Sequence, residues 1–182
     1  HPNILPPSVA GPPLTDFVSF MGQIHWTPGN AESDHWETGQ ARMEVPYWED
    51  PEAHHRNSPI MNVHNMTTPL LMAHGNKDGV VEFFQATTFY NFARRAGKEM
   101  VLLVYEDENH SFQTRANQID YHRRILEWFG HYLKGEPAPS WIREGVPFDA
   151  LEKEKRRVAE KNAGAAKPIR AADGRAGAGG PP

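Results

Sequence analysis

Two short apolar runs dominate the pattern along the chain. Pro69-Leu70-Leu71-Met72-Ala73-His74 and Met100 to Tyr105 are unbroken by charge and too short for a stable helix. The first predicts a strand buried on both faces, and the second predicts another apolar strand. Between them Gly75 to Val81 reads as a turn. Glu82 to Ala96 reads as a helix with Phe83, Phe84, Phe89, Phe92 and Ala93 supplying bulk, and Gly97 stands where a left-handed terminator belongs. A polar loop, Glu106 to Phe112, follows the second strand. A long helix is then expected over about 115–134, with Ile119, His122, Leu126, Phe129 and Leu133 on one stripe and Gly135 after it. Strand, helix, strand, helix with short joins predicts parallel strands and right-handed crossovers, an α/β architecture.

The flanking segments are plainer. Pro2, Pro6, Pro7, Pro12 and Pro13 exclude helix at the start and favour an extended surface path. Leu14, Phe17, Val18, Met21 and Ile24 recur at helical spacing, so a short helix is expected over 14–24 with Thr15 or Asp16 as its cap. Residues 25–48 show no period and read as a loop-rich excursion. Asp50-Pro51-Glu52 is a helix start that should stop before Ser58-Pro59. Asp149 is expected to cap a charged helix over 149–162.

Composition narrows the function classes. The 182 residues include 19 basic and 23 acidic side chains, a formal charge of −4, which points to no nucleic-acid partner. Mean hydropathy is −0.66 and no apolar run reaches the roughly 18 residues of a membrane span, so no membrane partner is expected. The absence of cysteine excludes a thiolate metal site, a disulfide scaffold and a Cys nucleophile. From Ala163 to Pro182, 15 of 20 residues are Ala, Gly or Pro, and this tail is expected to be disordered. The first residue is His1, not Met, so the chain reads as a piece of something longer; compartment is left open.

Functional groups on a parallel sheet gather in the loops at the strand C-terminal ends. Two such loops stand out: His74-Gly75-Asn76-Lys77-Asp78-Gly79-Val80-Val81 and Glu106-Asp107-Glu108-Asn109-His110-Ser111-Phe112. Asp78 in one and His110 in the other, on adjacent strands, is how an acid orients an imidazole for general-base work. Glu106, Asp107 and Glu108 read as exposed acids beside that imidazole. His74 is expected to pack against or bond its own loop.

His-Gly-x-x-Asp-x-x-Val, 32 residues ahead of His-Ser-Phe, resembles the catalytic domain of the prolyl oligopeptidase family of serine peptidases. Ser58-Pro59-Ile60, Ala96-Gly97-Lys98 and Trp128-Phe129-Gly130-His131-Tyr132-Leu133-Lys134-Gly135 are similar to that family too. The resemblance spans roughly residues 10–148, a partial α/β-hydrolase domain over 1–148. It implies Asp78 as triad acid and His110 as triad base. It also implies that Gly11 to Phe17 supplies the wall of the pocket for the residue before the scissile bond, with Leu14, Phe17 and Phe20 as that wall; helical spacing by itself fits Phe17 and Phe20 equally well as core. The implied partners are a short peptide substrate, cut after proline or a small apolar residue, and a preceding part of the same chain carrying a propeller domain and the nucleophile. No cofactor is implied.

This sequence departs from the family pattern in one decisive respect. Ser8, Ser19, Ser33, Ser58, Ser111 and Ser140 all lack the flanking glycines of a Gly-x-Ser-x-Gly elbow. The nucleophile strand and oxyanion hole are expected to lie upstream of His1, and the chain by itself is expected to be inert. Gly79 stands where many relatives have a second Asp, and Asn109 where they often have Gly or Asp. Two other functions stay open: an esterase with the same triad, and a non-catalytic α/β module used for association. Ten histidines, among them His25, His35, His54, His55 and His64, invite a metal reading. There is no His-Glu-x-x-His, and adjacent histidines do not easily share an ion, so no metal is expected.

Overall fold

The computed structural model describes residues 7–145, with Lys153 and Arg156 in addition. The chain divides into two compact units, His1–Arg143 and Glu144–Pro182; the fold below is that of the first. The tail expected over 163–182 lies outside the described residues. So does the helix expected over 149–162, apart from Lys153 and Arg156, which are helical.

In chain order the unit contains β1 (Ser8–Ala10), α1 (Phe17–Met21), β2 (Ile24–His25), β3 (Asn30–Ala31), α2 (Glu32–Glu37) and α3 (Pro51–Asn57). A three-ten helix, Pro59–Asn65, comes next. Then follow β4 (Leu70–Gly75), α4 (Phe84–Arg95), β5 (Met100–Tyr105), α5 (Arg115–Lys134) and α6 (Ser140–Arg143). β1, β4 and β5 form one parallel sheet in the order β1-β4-β5. Leu70 pairs with Met100 and Gly75 with Tyr105, while Ser8 to Ala10 pair with Leu70 to Met72. The extended path expected from the prolines is therefore a third strand. It was illegible locally because only three residues pair.

The unbroken apolar character of β4 is explained by helices on both faces. Met72 packs with Ile60, Val63, Ala86, Phe89 and Ala93, on the side of α4 and the three-ten helix. Leu71, one residue earlier, packs with Trp128 and Trp141 on the side of α5 and α6. β5 repeats the alternation: Met100 and Leu102 join the first cluster, Val101 and Leu103 the second. Successive side chains point to opposite faces of a strand, so both sets must be apolar.

The long helices run as expected but show different faces. α5 ends at Gly135 with φ 70°, a left-handed position that favours glycine. Its buried face carries Trp128, Ile125, Phe129 and Tyr132, whereas Ile119, Leu126 and Leu133 of the expected stripe are exposed. The helix has apolar residues on two faces, and spacing alone does not say which one the sheet covers. α4 corrects the expectation likewise: Phe89 and Ala93 are core, Phe84 and Phe92 are exposed.

α1 is shorter than expected. Asp16 caps it, accepting from the Val18 N–H, while Thr15 is buried and bonded to Gln85 of α4. Gly22 ends it, and Ile24 turns into β2 with its side chain exposed. The segment 25–48 is not all loop: it holds β3 and α2, which is anchored by the buried Trp36. Six residues are too few for helical periodicity to show. α3 starts and stops as expected, with Asp50 accepting from the Ala53 N–H and Pro51 in the first turn.

Candidate active site

β4 and β5 are adjacent and parallel, so the loops after Gly75 and Tyr105 leave the sheet side by side. Four hydrogen bonds lace them together. Asn76 N–H donates to Tyr105 O (3.1 Å) and Lys77 N–H to Glu108 O (3.0 Å). Asp107 N–H donates to Asn76 Oδ1 (2.8 Å) and Gly79 N–H to Asn109 Oδ1 (2.9 Å). The approach is so close that a Cβ on Gly75 would stand 2.2 Å from Glu108 O. Glycine is the one residue that fits there.

Asp78 is buried at the floor of this seam, and its carboxylate is met by hydrogen-bond donors. Oδ1 accepts from the Val80 and Val81 N–H groups at 2.8 and 2.9 Å, the Asx turn that local chemistry favours. Oδ2 stands 3.0 Å from His110 Nδ1 and also 3.0 Å from His74 Nε2. Burial pushes the Asp78 carboxyl up. The hydrogen bonds from His74, Val80, Val81 and His110 outweigh it and hold the group below its usual range. An ionised carboxylate at Nδ1 fixes His110 with its proton on that nitrogen and leaves Nε2 free for proton transfer.

Two further features hold the His110 loop. Glu108, expected to be exposed, is 1% exposed and accepts from Gln113 N–H (2.6 Å), Thr114 N–H (3.0 Å) and Asn117 Nδ2 (2.7 Å). It therefore serves the N-terminus of α5 in place of Thr114, whose own side chain makes no capping bond. Burial raises the Glu108 carboxyl, yet the bonds from Asn117, Gln113 and Thr114 leave it below its usual range. Phe112 closes the loop, its ring centroid 4.6 Å from Tyr105 and 5.4 Å from Tyr121. Three acids in a row gave no local signal that one of them would turn inward.

The His110 side chain is 38% exposed and opens on a pocket of about 530 Å³. Pro12, Phe112, Arg115, Ile119 and His122 line it with His110. Leu14, Phe17 and Phe20 are not among its lining residues. They pack in an apolar cluster with Trp36, Val80 and Val81. The Phe17 and Trp36 ring centroids are 4.3 Å apart, and Phe20 is 3% exposed. The cluster reaches the acid loop through Val80 and Val81, immediately after Asp78. His74 bonds its own loop as expected, through Val81 O at 2.9 Å, and in addition reaches the acid.

One histidine grouping was not visible in the sequence. His25 Nδ1 and His35 Nδ1 each stand 3.0 Å from a different carboxylate oxygen of Glu32, whose side chain is fully buried. The hairpin between β2 and β3 brings His25 back to Glu32.

A model of the prolyl oligopeptidase family matches residues 10–136. Dipeptidyl-peptidase 5 of Porphyromonas gingivalis is 32% identical over 93 residues, 49% of this chain and 14% of that protein. The acylamino-acid-releasing enzyme of Arabidopsis thaliana is 29% identical over 91 residues, 50% of this chain and 12% of that protein. The chain thus spans a small part of the relatives it matches. Among solved structures, a Mycobacterium tuberculosis puromycin-hydrolyzing peptidase superposes with a TM-score of 0.59 at 22% identity, covering 69% of this chain and 18% of that one. The acylaminoacyl peptidase of Pyrococcus horikoshii gives 0.57 at 16% identity, over 80% of this chain and 23% of that one. At such identities the superpositions speak for the α/β-hydrolase fold.

Proposed function

The chain belongs to the prolyl oligopeptidase family, and on that premise we propose that it supplies the acid and the base of a serine peptidase whose nucleophile lies on a preceding segment of the same protein. The observation that carries the proposal is the 3.0 Å contact of Asp78 Oδ2 with His110 Nδ1, bridging the C-terminal ends of two adjacent parallel strands. His110 Nε2 takes the proton of a serine hydroxyl as its oxygen attacks the peptide carbonyl carbon. The tetrahedral intermediate collapses, the C–N bond breaks, and His110 passes that proton to the leaving amine. Water, deprotonated by the same Nε2, then attacks the acyl-serine; the ester C–O bond breaks, the acid leaves, and His110 returns the proton to the serine oxygen. Asp78 stabilises the imidazolium in both halves and does not itself take the proton.

Short peptides are the proposed substrates, in keeping with relatives named as dipeptidyl-peptidases. Leu14 and Phe17, half-buried against the cluster of Phe20, Trp36 and Val81, are proposed to form part of the wall beside the acid loop, with Phe20 as the core beneath them. The absence of a Gly-x-Ser-x-Gly elbow in these 182 residues supports an external nucleophile. The exposed apolar row of Ile119, Leu126 and Leu133 supports a longer domain.

The test is intact mass of the native gene product after treatment with a fluorophosphonate. One label on a product well above 20.6 kDa, lost in a folded His110→Ala variant, is expected. An unlabelled product, or labelling that survives His110→Ala, overturns the proposal.

A further inference from the structure

Glu32 presents an unusual electrostatic problem. Its side chain is fully buried, and no Lys or Arg pairs with it among the described residues. A buried carboxylate must be paired or must hold a cation. Its neighbours are two imidazole nitrogens, His25 Nδ1 at Oε1 and His35 Nδ1 at Oε2, each at 3.0 Å. Despite that distance Oε1 accepts no well-aligned hydrogen bond; it is a buried oxygen without a partner, turned toward His25.

The donor set is compact. One nitrogen from each histidine and one carboxylate oxygen all lie within 4.8 Å of one another. Tetrahedral coordination at about 2.0–2.1 Å needs ligand separations of roughly 3.3 Å, so the 3.0 Å contacts are already near those of a shared ion. The second histidine nitrogen fits the same reading. His35 Nε2 faces Gln40 Oε1 at 3.2 Å. In the tautomer that donates its Nε2 proton there, His35 turns the Nδ1 lone pair toward Glu32 and a cation between them removes the repulsion; in the other tautomer Nδ1 donates to Glu32 Oε2. An outward N–H held by an acceptor is how ligating histidines are oriented. The side chains of His25 and His35 are 24% and 39% exposed, which gives an ion an entry path and leaves room for water as a fourth ligand.

We propose that His25 Nδ1, Glu32 and His35 Nδ1 form a binding site for a divalent transition-metal ion of the zinc class. Two imidazoles and one carboxylate suit Zn²⁺ and do not suit Mg²⁺ or Ca²⁺, which take oxygen ligands. The site ties β2 to α2. Trp26 and Thr27, the next residues after His25, touch the acid loop: Trp26 Nε1 lies 3.4 Å from Glu82 Oε1, and Thr27 N–H donates to Gly79 O at 3.2 Å. A bound ion therefore stiffens the hairpin that borders Asp78. Its role is structural, separate from the proton transfers at His110.

The test is titration of the chelator-stripped native protein with zinc chloride, by calorimetry and by metal content after gel filtration. Glu32→Gln and His35→Gln variants run in parallel, because ten histidines offer weak competing sites. One equivalent per chain binding at micromolar affinity or tighter, absent from both variants, is expected, with a rise in thermal midpoint on adding Zn²⁺ that the variants lose. Co²⁺ in the same site should give the visible absorption of a four-coordinate ion. If Glu32→Gln fails to fold, as circular dichroism will show, the partly exposed His25→Ala takes its place. No tight equivalent in the wild type, or an unchanged one in the folded variants, overturns the proposal and leaves two proton-bearing imidazoles as the partners of Glu32.

Discussion

His74 Nε2 and His110 Nδ1 both stand 3.0 Å from the same oxygen of Asp78. The two rings have different tasks. His74 is 0% exposed, shares its Nε2 proton with Val81 O and belongs to β4, so it locks the carboxylate from the sheet side. His110 is partly exposed and meets the same oxygen from the pocket side. An acid held by four donors has one orientation available, and that orientation passes to the base.

Removing the acid's charge while keeping its shape should affect chemistry and leave binding largely intact. Asp78→Asn in the full-length protein is expected to lower kcat on the order of 10³–10⁴-fold with little change in KM. Steady-state kinetics on a peptide anilide check this. A loss confined to KM would place Asp78 outside the triad.

His74→Phe keeps a ring in the core and deletes the Nε2 donor. The Asp78 carboxyl should then titrate at a higher pH than in the wild type, because one of the bonds that lowers it is gone. Carboxyl-carbon NMR of Asp78 against pH reads this directly. A merely structural role for His74 would leave that titration unmoved.

Glu108→Gln should weaken the attachment of α5. It removes charge from an acceptor of three bonds in a buried site, at a cost of about 1–3 kcal/mol. Urea unfolding measures the loss, and hydrogen exchange should show faster opening at Gln113 and Thr114. Equal stability and equal exchange would contradict the clamp.

The acid limb of stability follows from the carboxylates. Asp78, Glu108 and Asp120 all have folded values below those of the free side chains. At Asp120 burial opposes the shift, and Arg124, Arg123 and Tyr105 outweigh it. A depressed carboxyl contributes in full above its unfolded value, 3.8 for Asp and 4.5 for Glu. That contribution is lost as pH falls through the lower folded value. The urea midpoint should therefore hold down to the middle of the carboxylate range and drop steeply below it. A midpoint independent of pH there would exclude these groups as contributors.

Gly75→Ala tests the seam itself. The added methyl meets Glu108 O and Asn109 O, both backbone atoms that cannot swing aside. Overpacking of this kind costs about 1–3 kcal/mol, and it should separate the loops that carry Asp78 and His110. Activity should fall together with the thermal midpoint; a stable, fully active variant would show that the seam can relax.

Much of the fold was legible because its signals are local. β5 and α5 fall where an apolar run, a polar loop and a closing glycine put them, and β4 is displaced by one residue. Strand termination and helix capping are decided within a few residues, and the chain states them directly. The pairing of Asp78 with His110 was legible for a related reason. Consecutive parallel strands joined by one helix are most often neighbours, as β4 and β5 are, so residues just beyond their C-terminal ends are brought side by side.

What tertiary structure decided is which side of each element is covered. α5 carries apolar residues on two faces, and only the position of the sheet selects Trp128 over Leu126. Glu108 reads as an exposed acid and is buried, because it satisfies backbone groups exposed at the end of another element, as the buried Gln85 also does. Glu32 lies in a segment without a period, and only the return of a short hairpin places a histidine on either side of it. Hydrophobic period and capping act along the chain; burial of a polar group depends on partners brought from elsewhere, and no local pattern encodes where those partners arrive.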